Sequence, residues 1–308
     1  MTILNHASDG LYPELIVLFR VVAYSKRITS EDLVAFCSPP IDKFGEERRK
    51  KEKEILSRLR GALSRWTTLG LFTEKDGLVQ LNAEFTTKKK ESIDDLTNRL
   101  PYFCRHLVFE KKNSLPMWDE KAAIASDFVR GVAWLLTQNI YNFPTQWDGG
   151  AENIEKDQVL GAKTIVQNDF RWNDLRFWSR YLGFATGDSN SYQIDPTTAV
   201  KDQLPSIFGD TKELPAKSFI DGLSSGLPVL DFGSYRKEME SNLDPARWRK
   251  PAEGHLSMSL SLALQRLAMA KEIRLVGKAD AGSSYRLTGR NFRTWGGFEF
   301  VEWVGGDA

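Results

Sequence analysis

The sequence predicts a mainly α fold with small β-hairpins, an α+β class, in which one structural unit recurs along the chain. The first observation is an internal similarity. LSRWTTLGLFTEKDGLVQLN (residues 63–82) and LRFWSRYLGFATGDSNSYQID (residues 175–195) share the order helix, Leu-Gly, turn and strand. The second is length, because 308 residues suit two or three domains of the usual size, about 100 to 200 residues each. Units of about 80 to 100 residues would fill the chain.

The first unit is predicted from three helical patterns and a hairpin. Residues 11–24 carry apolar side chains at helical spacing, and TSEDLVAFC follows Arg27-Ile28 with Thr29 as a predicted N-cap. A long helix begins at Glu46 and is expected to stop at Gly70, since glycine readily takes the left-handed conformation that ends helices. Two apolar runs flank EKDG, which predicts a hairpin with a glycine turn. Three helices followed by a hairpin make a winged helix, here residues 1–90.

The same order is predicted in the middle of the chain. In DEKAAIASDFVRGVAWLLTQ, Asp119 is expected to cap a helix. A short helix at 152–160 and a third helix at 169–181 follow, and GDSN turns the chain into SYQID. Residues 91–200 are therefore predicted as a helical connector and a second winged helix.

A third copy is predicted at residues 201–308, as a C-terminal winged-helix-like domain. Helical patterns cover residues 215–225, 234–243 and 257–270, and EIRLVGKADAGSSYRL (272–287) has the pattern of strand, turn and strand. The C-terminal WGGFEFVEWVGGDA alternates apolar and polar residues like an edge strand. Such a strand either pairs with a partner or covers its own core. The predicted architecture is a tandem array of winged-helix domains.

Charge is concentrated on the third helix of the first unit. The net charge of +1 excludes neither nucleic acid nor protein partners, because a local basic face can be balanced elsewhere. Between Lys43 and Trp66 there are nine basic and four acidic residues. In winged helices that read DNA, this helix enters the major groove, and cations on phosphates give salt-dependent binding without sequence preference. The predicted contacts are Arg48, Arg49, Lys50, Lys51, Arg58 and Arg65. A solvated face of Lys-Glu pairs at i,i+4 explains the run as well.

A second, smaller basic patch is predicted on the third helix of the second unit. Arg171, Arg176 and Arg180 alternate there with aromatic residues, which can stack bases but at helical spacing more often belong to a core. We expect Trp178 to be buried and the arginines to be possible DNA contacts. The comparable helix of the third unit carries only Arg266, so that unit is interpreted as a packing or docking module.

Catalytic patterns are nearly absent from the sequence. It contains no HExxH, GxxxxGK[ST], strand-linked GxGxxG or GxSxG. Cys104 and His106 are two residues apart and would point to different faces of a helix. We therefore expect no enzyme, no cofactor and no metal site. Cys37 and Cys104 are the only cysteines and are expected to be reduced.

The chain also lacks the apolar run of about 18 residues that membrane insertion needs. Its N-terminal segment has no secretory pattern. We therefore expect a cytoplasmic protein with no membrane contact.

Three segments resemble DpdG-type proteins of bacterial anti-phage gene clusters, which accompany 7-deazapurine modification of DNA. They are TILNHASDGLYPELIVLFRVV (2–22), YLGFATGDSNSYQIDPTTAV (181–200) and LSMSLSLALQRLAMAKEIRL (256–275). The resemblance implies a cytoplasmic accessory subunit of a DNA restriction system, with other subunits of a defence complex as partners. It implies no active-site residues.

The sequence thus favours a non-catalytic accessory subunit that binds double-stranded DNA through basic winged-helix faces, without strong sequence preference. The alternative is a protein–protein scaffold whose winged helices hold an ATPase or nuclease subunit. The scaffold predicts a co-purifying partner and no DNA affinity of its own.

Overall fold

Helices and small antiparallel sheets make up the chain, as the predicted α+β class requires. The computed structural model describes residues 2–5, 14–38, 46–86, 90–118, 123–188, 191–277 and 284–305, with the side chains of residues 5 and 46–49 left out. The chain divides into two compact units, Met1–Ser114 and Leu115–Ala308. The predicted division into three domains, 1–90, 91–200 and 201–308, stays a prediction.

The first unit begins with three helices and a three-stranded sheet. Its elements are α1 (Glu14–Ser25), β1 (Ile28–Thr29), α2 (Ser30–Cys37), α3 (Glu46–Leu69), β2 (Phe72–Lys75) and β3 (Leu78–Leu81). The sheet order is β1-β3-β2 and both pairings are antiparallel. After a 3-10 turn at Ala83–Phe85, the unit continues with α4 (Ile93–Asn98), α5 (Leu100–Phe109) and α6 (Lys111–Ser114).

Local signals account for the boundaries of these elements. The Thr29 hydroxyl accepts the Asp32 N–H at 3.1 Å, which confirms the predicted N-cap of α2. Asp76 and Gly77 both have positive φ, +53° and +74°. This pair is what a two-residue type I′ hairpin turn requires, so β2 and β3 form the predicted hairpin.

Burial in α3 is confined to its C-terminal half. Leu59, Ala62, Leu63, Trp66 and Leu69 face the core at helical spacing. The preceding turns, from Lys50 to Ser57, hold no buried residue. A helix of 24 residues is about 36 Å long, so roughly half of that length stands clear of the unit's own core.

The second unit contains the remaining eight helices and seven strands of the described residues. The helices are α7 (Ser126–Thr137), α8 (Glu152–Gln158), α9 (Asp169–Tyr181), α10 (Thr197–Lys201), α11 (Leu204–Phe208), α12 (Ala216–Gly226), α13 (Ser234–Glu240) and α14 (Met258–Met269). The strands are β4 (Ala185–Thr186), β5 (Gln193–Ile194), β6 (Glu213–Pro215), β7 (Ile273–Val276), β8 (Tyr285–Thr288), β9 (Thr294–Phe298) and β10 (Phe300–Trp303). The helix predicted from Asp119 begins at Ser126 instead, and residues 119–122 lie outside the described ones.

The predicted C-terminal hairpin at 272–287 is wrong in its pairing. β7 pairs with β10, and β8 pairs with β9. β10 also pairs with β6, giving a sheet of order β6-β10-β7. The C-terminal segment is therefore a central strand, and its Val301 is fully buried between Leu214 and Leu275. β7 pairs with the distant β10 because β10 is covered on both edges, by β6 and β7. The local sequence pattern does not reveal this arrangement.

Three helices, α3, α9 and α14, end in the same way. A residue just past each helix has a positive φ: Gly70 (+101°) directly follows α3, and Gly183 (+78°) and Lys271 (+59°) are the second residues after α9 and α14. The next residue donates its N–H to a carbonyl five residues back, at 2.8, 2.7 and 3.0 Å; these pairs are Leu71–Trp66, Phe184–Ser179 and Glu272–Leu267. This is the bond that closes a Schellman motif.

The carbonyl of that same residue then accepts an N–H from the returning strand. In the first two copies the donor comes eleven residues later, Asn82 for Leu71 and Asp195 for Phe184, both at 2.9 Å. In the third copy Val304 donates to Glu272, also at 2.9 Å, but 32 residues later. The β8–β9 hairpin occupies the extra length. The similarity seen in the sequence is thus a shared hydrogen-bond pattern, with an insertion in the third copy.

Candidate nucleic-acid interface

The exposed part of α3 carries several cations. Lys50, Lys51, Lys53 and Arg60 are all exposed. Lys50, Lys53 and Arg60 share the outward side of the helix, whereas Lys51 lies on the side that further along holds the buried Leu69. The ion pairs that the structure describes involve none of these four. The acidic side chains described on the same helix are Glu52 and Glu54, so its positive charge is in excess. Lys50 and Lys51 were predicted as phosphate contacts, and the structure leaves both accessible.

Small polar residues continue this face toward the C-terminus of α3. Ser57, Ser64 and Thr68 are exposed, and with Lys50, Lys53 and Arg60 they follow the spacing of three to four residues that defines one side of a helix. Arg60 and Lys53 were not among the predicted contacts. Helical periodicity relative to the buried Leu59, Leu63 and Trp66 could have identified them.

Arg58 points to a different environment. Its guanidinium Nη2 lies 2.5 Å from Oε1 of Glu14, on α1, and the Glu14 side chain is only 9% exposed. Neither Glu14 Oε2 nor Arg58 Nε has a hydrogen-bond partner among the described residues. The pair joins α1 to α3, so Arg58 already neutralises a carboxylate inside the unit. Its role as a phosphate contact stays a prediction.

The other predicted contacts on α3 are less accessible or less defined. Arg65 is half-buried and interacts with other groups of the protein. Arg48 and Arg49 lie in the first turns of α3, but their side chains are outside the described residues. The exposed cations of the cluster are therefore Lys50, Lys51, Lys53 and Arg60, of which Lys50, Lys53 and Arg60 lie on one side of α3.

The second predicted patch, on α9, serves mainly internal contacts. Arg176 is 8% exposed, and its guanidinium lies 5.0 Å from the centre of the Tyr192 ring. Burial lowers the pKa of the Arg176 guanidinium and raises the pKa of Tyr192 to about 12. Tyr192 in turn shares a 2.9 Å hydrogen bond with Ser179. Arg176 thus links α9 to the strand that returns to it.

The remaining arginines of α9 are half-buried. Arg180 donates to the Gly187 carbonyl at 3.3 Å and lies 6.0 Å from the Phe177 ring centre. Arg171 also interacts with the protein. Trp178 is fully buried, as expected. Arg171, Arg176 and Arg180 do not form a row of exposed cations like that of α3, and their contact with DNA stays a prediction.

Three side chains with metal-ligating atoms lie close together in the first unit. Ligand atoms of Glu84, His106 and Glu110 lie within 4.8 Å of one another. The site is exposed, and Lys112 Nζ already lies 2.6 Å from Glu110. Exposed groups of this kind commonly carry no ion, so we assign none. Burial raises the pKa of both thiols, Cys37 to about 11 and Cys104 well above its usual value, which disfavours the reactive thiolate.

In the third copy, Arg266 forms an ion pair with the buried Asp195. Arg266 therefore neutralises a carboxylate within the second unit. The interpretation of the third predicted unit as a packing or docking module stays a prediction.

A comparison with known families adds the remaining evidence. A family model described as DpdG-like matches residues 1–281. The chain belongs to the DpdG-like family. No curated protein and no solved structure gives a significant match. Membership of the family links the chain to the multi-protein 7-deazapurine modification system of DNA. Among its described residues, no helix combines the length and apolar character needed to cross a membrane.

Proposed function

We propose that this DpdG-like chain is a non-catalytic accessory subunit that binds duplex DNA through the exposed face of α3. The observation that carries the proposal is the row of accessible cations on one side of this helix, Lys50, Lys53 and Arg60, with the exposed Lys51 beside them at its N-terminal end. Each cation that neutralises a phosphate releases counterions, so the face supports affinity without sequence preference. The Ser57 and Ser64 hydroxyls next to it can approach the DNA backbone closely and donate hydrogen bonds, whereas the Thr68 hydroxyl already donates to the Ser64 carbonyl at 2.9 Å.

The arrangement of elements supports a winged-helix interpretation. The first unit follows the order helix, strand, helix, helix, strand, strand, and its sheet order is β1-β3-β2. The segment from α11 to β10 contains the same order of strands, β6-β10-β7, around α12 and α14. In this interpretation α3 is the recognition helix and the β2–β3 hairpin is the wing.

A non-catalytic role is proposed from the surroundings of the described histidines. His106 has Glu110 and Phe85 as neighbours, and the His255 ring contacts the Glu253 carbonyl at 3.0 Å. Neither ring is hydrogen-bonded to a serine, threonine or cysteine within the described residues. A nucleophile and base in hydrogen-bond reach are the usual signature of covalent catalysis.

The scaffold alternative has an observation of its own. Tyr24 and Phe36 are 79% and 77% exposed, and both line one surface depression of the first unit together with Val21 and Ile93. Exposed aromatic side chains at a depression are typical of protein–protein contacts. A partner subunit of the modification system is the occupant that this alternative predicts.

The test is fluorescence anisotropy with a labelled duplex of arbitrary sequence across a salt series. We expect binding that weakens steeply with salt. The double charge reversal Lys50→Glu, Arg60→Glu should reduce the slope of log K against log salt by about two or more. The reduction should be the same on an unrelated duplex, because phosphate contacts carry no sequence information.

A matched control reverses two cations away from α3. Lys237 and Lys271 are exposed and belong to no described ion pair. Lys237→Glu, Lys271→Glu produces the same net charge as the test variant and should leave the slope nearly unchanged. Equal effects of both variants would reject the α3 face in favour of a general charge effect. Absence of binding at low salt would favour the scaffold.

A further inference from the structure

A cavity of about 270 Å³ lies in the second unit, and none of the predicted DNA contacts lines it. It is lined by segments that are far apart in sequence: the end of α7 and the loop after it, α8, the loop 247–251, the start of α14, and the β8–β9 hairpin. The volume is near the lower limit of small-molecule sites, about 300 Å³. A ligand with a single ring system therefore fits better than a dinucleotide.

One wall of the cavity is a pair of fixed amide groups. Gln138 is only 5% exposed, and its Nε2 donates to Gln158 Oε1 at 2.9 Å. Gln158 Oε1 also accepts from Trp134 Nε1 at 3.2 Å, which fixes the orientation of this amide. Gln138 Oε1 and Gln158 Nε2 remain without a protein partner among the described residues. These two atoms supply an acceptor and a donor, the two functions that the hydrogen-bonding edge of a nucleobase requires.

Aromatic and cationic side chains complete the lining. Phe143, Trp248 and Phe292 all line the cavity, and the Trp248 indole is held by its 3.0 Å bond to the Thr137 carbonyl. The exposed Arg247 and Arg249 stand at the opening. Arg249 lies 4.6 Å from the centre of the Phe292 ring. Rings that can stack a base, next to arginines that can pair with phosphate, are the usual elements of nucleotide sites.

Positive charge is in excess beside the exposed side of the cavity. The two lining loops read PARWRKP (245–251) and GRNFRTW (289–295), with five cations and no acidic residue. Lys250 pairs with Glu240 at 3.7 Å, whereas the ion pairs that the structure describes include none of the four arginines, Arg247, Arg249, Arg290 and Arg293. The carboxylate of Asp231 is nearby but already accepts from the N–H and hydroxyl of Ser257, at 2.9 and 2.6 Å. An anionic group is therefore expected at the opening and a neutral ring inside.

The backbone at Phe292 is held in an unfavourable conformation. Phe292 has φ of +58° and the preceding Asn291 has +56°. A bulky aromatic residue rarely adopts the left-handed region, and such positions persist mainly where a ligand or mechanism requires them. The β8–β9 hairpin that carries Phe292 is also the insertion that distinguishes the third copy from the other two. The other two copies of the hydrogen-bond pattern form without such a hairpin, whereas Thr288 and Phe292 of the hairpin line the cavity.

We propose that the cavity binds one nucleotide. Its base contacts the amide pair Gln138–Gln158 and stacks on the aromatic wall, and its phosphate pairs with Arg247 and Arg249. The nucleotide is either free or part of a single strand, since both present the same base and phosphate. The site is independent of the α3 face.

The test is isothermal titration of the full chain with each of the four 2′-deoxynucleoside 5′-monophosphates. Parallel titrations use inorganic phosphate and a short single-stranded oligodeoxynucleotide of mixed sequence. We expect at least one monophosphate to bind with a dissociation constant of about 0.1 mM or tighter, and inorganic phosphate to bind at least about tenfold more weakly. Binding of the oligonucleotide alone would assign the site to a strand.

Phe292→Asn is the decisive variant, because asparagine tolerates the left-handed conformation and removes the ring. It should weaken binding by about tenfold or more while the melting temperature stays equal or rises. Arg249→Ala should weaken binding similarly, and the control Arg274→Ala, which breaks an exposed pair with Glu302, should not. Lys50→Glu, Arg60→Glu should leave nucleotide binding intact even where it abolishes duplex binding.

Three results would overturn the proposal. They are no binding of any monophosphate or of the oligonucleotide, equal binding of inorganic phosphate, and unchanged binding by the Phe292→Asn variant. Loss of duplex binding without loss of nucleotide binding would concern only the α3 face.

Discussion

The pair Glu14–Arg58 gives a prediction that separates stability from DNA contact. Removing one partner of a fully buried pair costs about 3–5 kcal/mol, whereas exposed pairs contribute about 0–1 kcal/mol. Glu14 is 9% and Arg58 is 33% exposed at the side chain, so the pair lies between these limits. We expect Arg58→Ala to reduce the free energy of unfolding of the first unit by about 2–3 kcal/mol, because it leaves the Glu14 carboxylate buried and unpaired.

The double variant Glu14→Gln, Arg58→Met should recover most of this loss. It replaces two partly desolvated charges, each with an unsatisfied polar atom, by groups that are easier to bury. Urea unfolding followed by circular dichroism and tryptophan fluorescence would measure both variants. With slopes of about 2–3 kcal/mol per molar, Arg58→Ala should lower the midpoint by roughly 1 M.

The same double variant tests whether Arg58 reaches DNA. If Arg58 serves only Glu14, the folded double variant should bind duplex with nearly unchanged affinity and salt slope. A slope reduced by about one would assign a phosphate contact to Arg58. Arg58→Ala with wild-type stability would refute the reasoning about the pair, since Glu14 would then be adequately solvated without it.

Two further predictions concern helix ends and thiols. Gly70→Ala should destabilise the first unit by about 1–2 kcal/mol: the added methyl group would meet Leu107 at an ordinary 3.5 Å, so the positive φ is the cause. Lys271→Gly should stabilise the second unit by up to about 1 kcal/mol for the same reason, and thermal melts with opposite signs would check both. Cys37 and Cys104 should react with iodoacetamide at mildly alkaline pH far more slowly than in the urea-unfolded chain, because burial raises the pKa of each thiol. Labelling at the unfolded rate under native conditions would contradict this.

Local periodicity and punctuation made most helices predictable. α9 spans Asp169–Tyr181, as the apolar spacing predicts, and α3 runs from Glu46 to the residue before Gly70. In both helices, apolar residues at helical spacing form one buried side, and a glycine with positive φ follows the C-terminal end. Lys271, just past α14, has the same left-handed conformation. Because lysine rarely adopts this conformation, its presence in the sequence does not predict a helix end as glycine does.

Long-range contacts were not predictable from local sequence. The pairing of β7 with β10 instead of β8 depends on which strand can bury both neighbours. Arg58 and Glu14 meet across 44 residues, so charge counting alone places Arg58 in the basic cluster. The nucleotide cavity draws its lining from five separate segments, none of which has a recognisable motif.

The central position of β10 leads us to expect that the sheet of the second unit forms later than that of the first. In the first unit, β2 and β3 join through a two-residue turn, so their hairpin closes locally and quickly. In the second unit, β6 and β7 do not pair with each other. Each can join the sheet only through β10, which comes later in the chain. Closing such a loop is slow, because its entropy is lost before the contacts form. During synthesis, the first unit would be complete while the β6 and β7 edges were still open, and these edges are where premature association with other chains is expected.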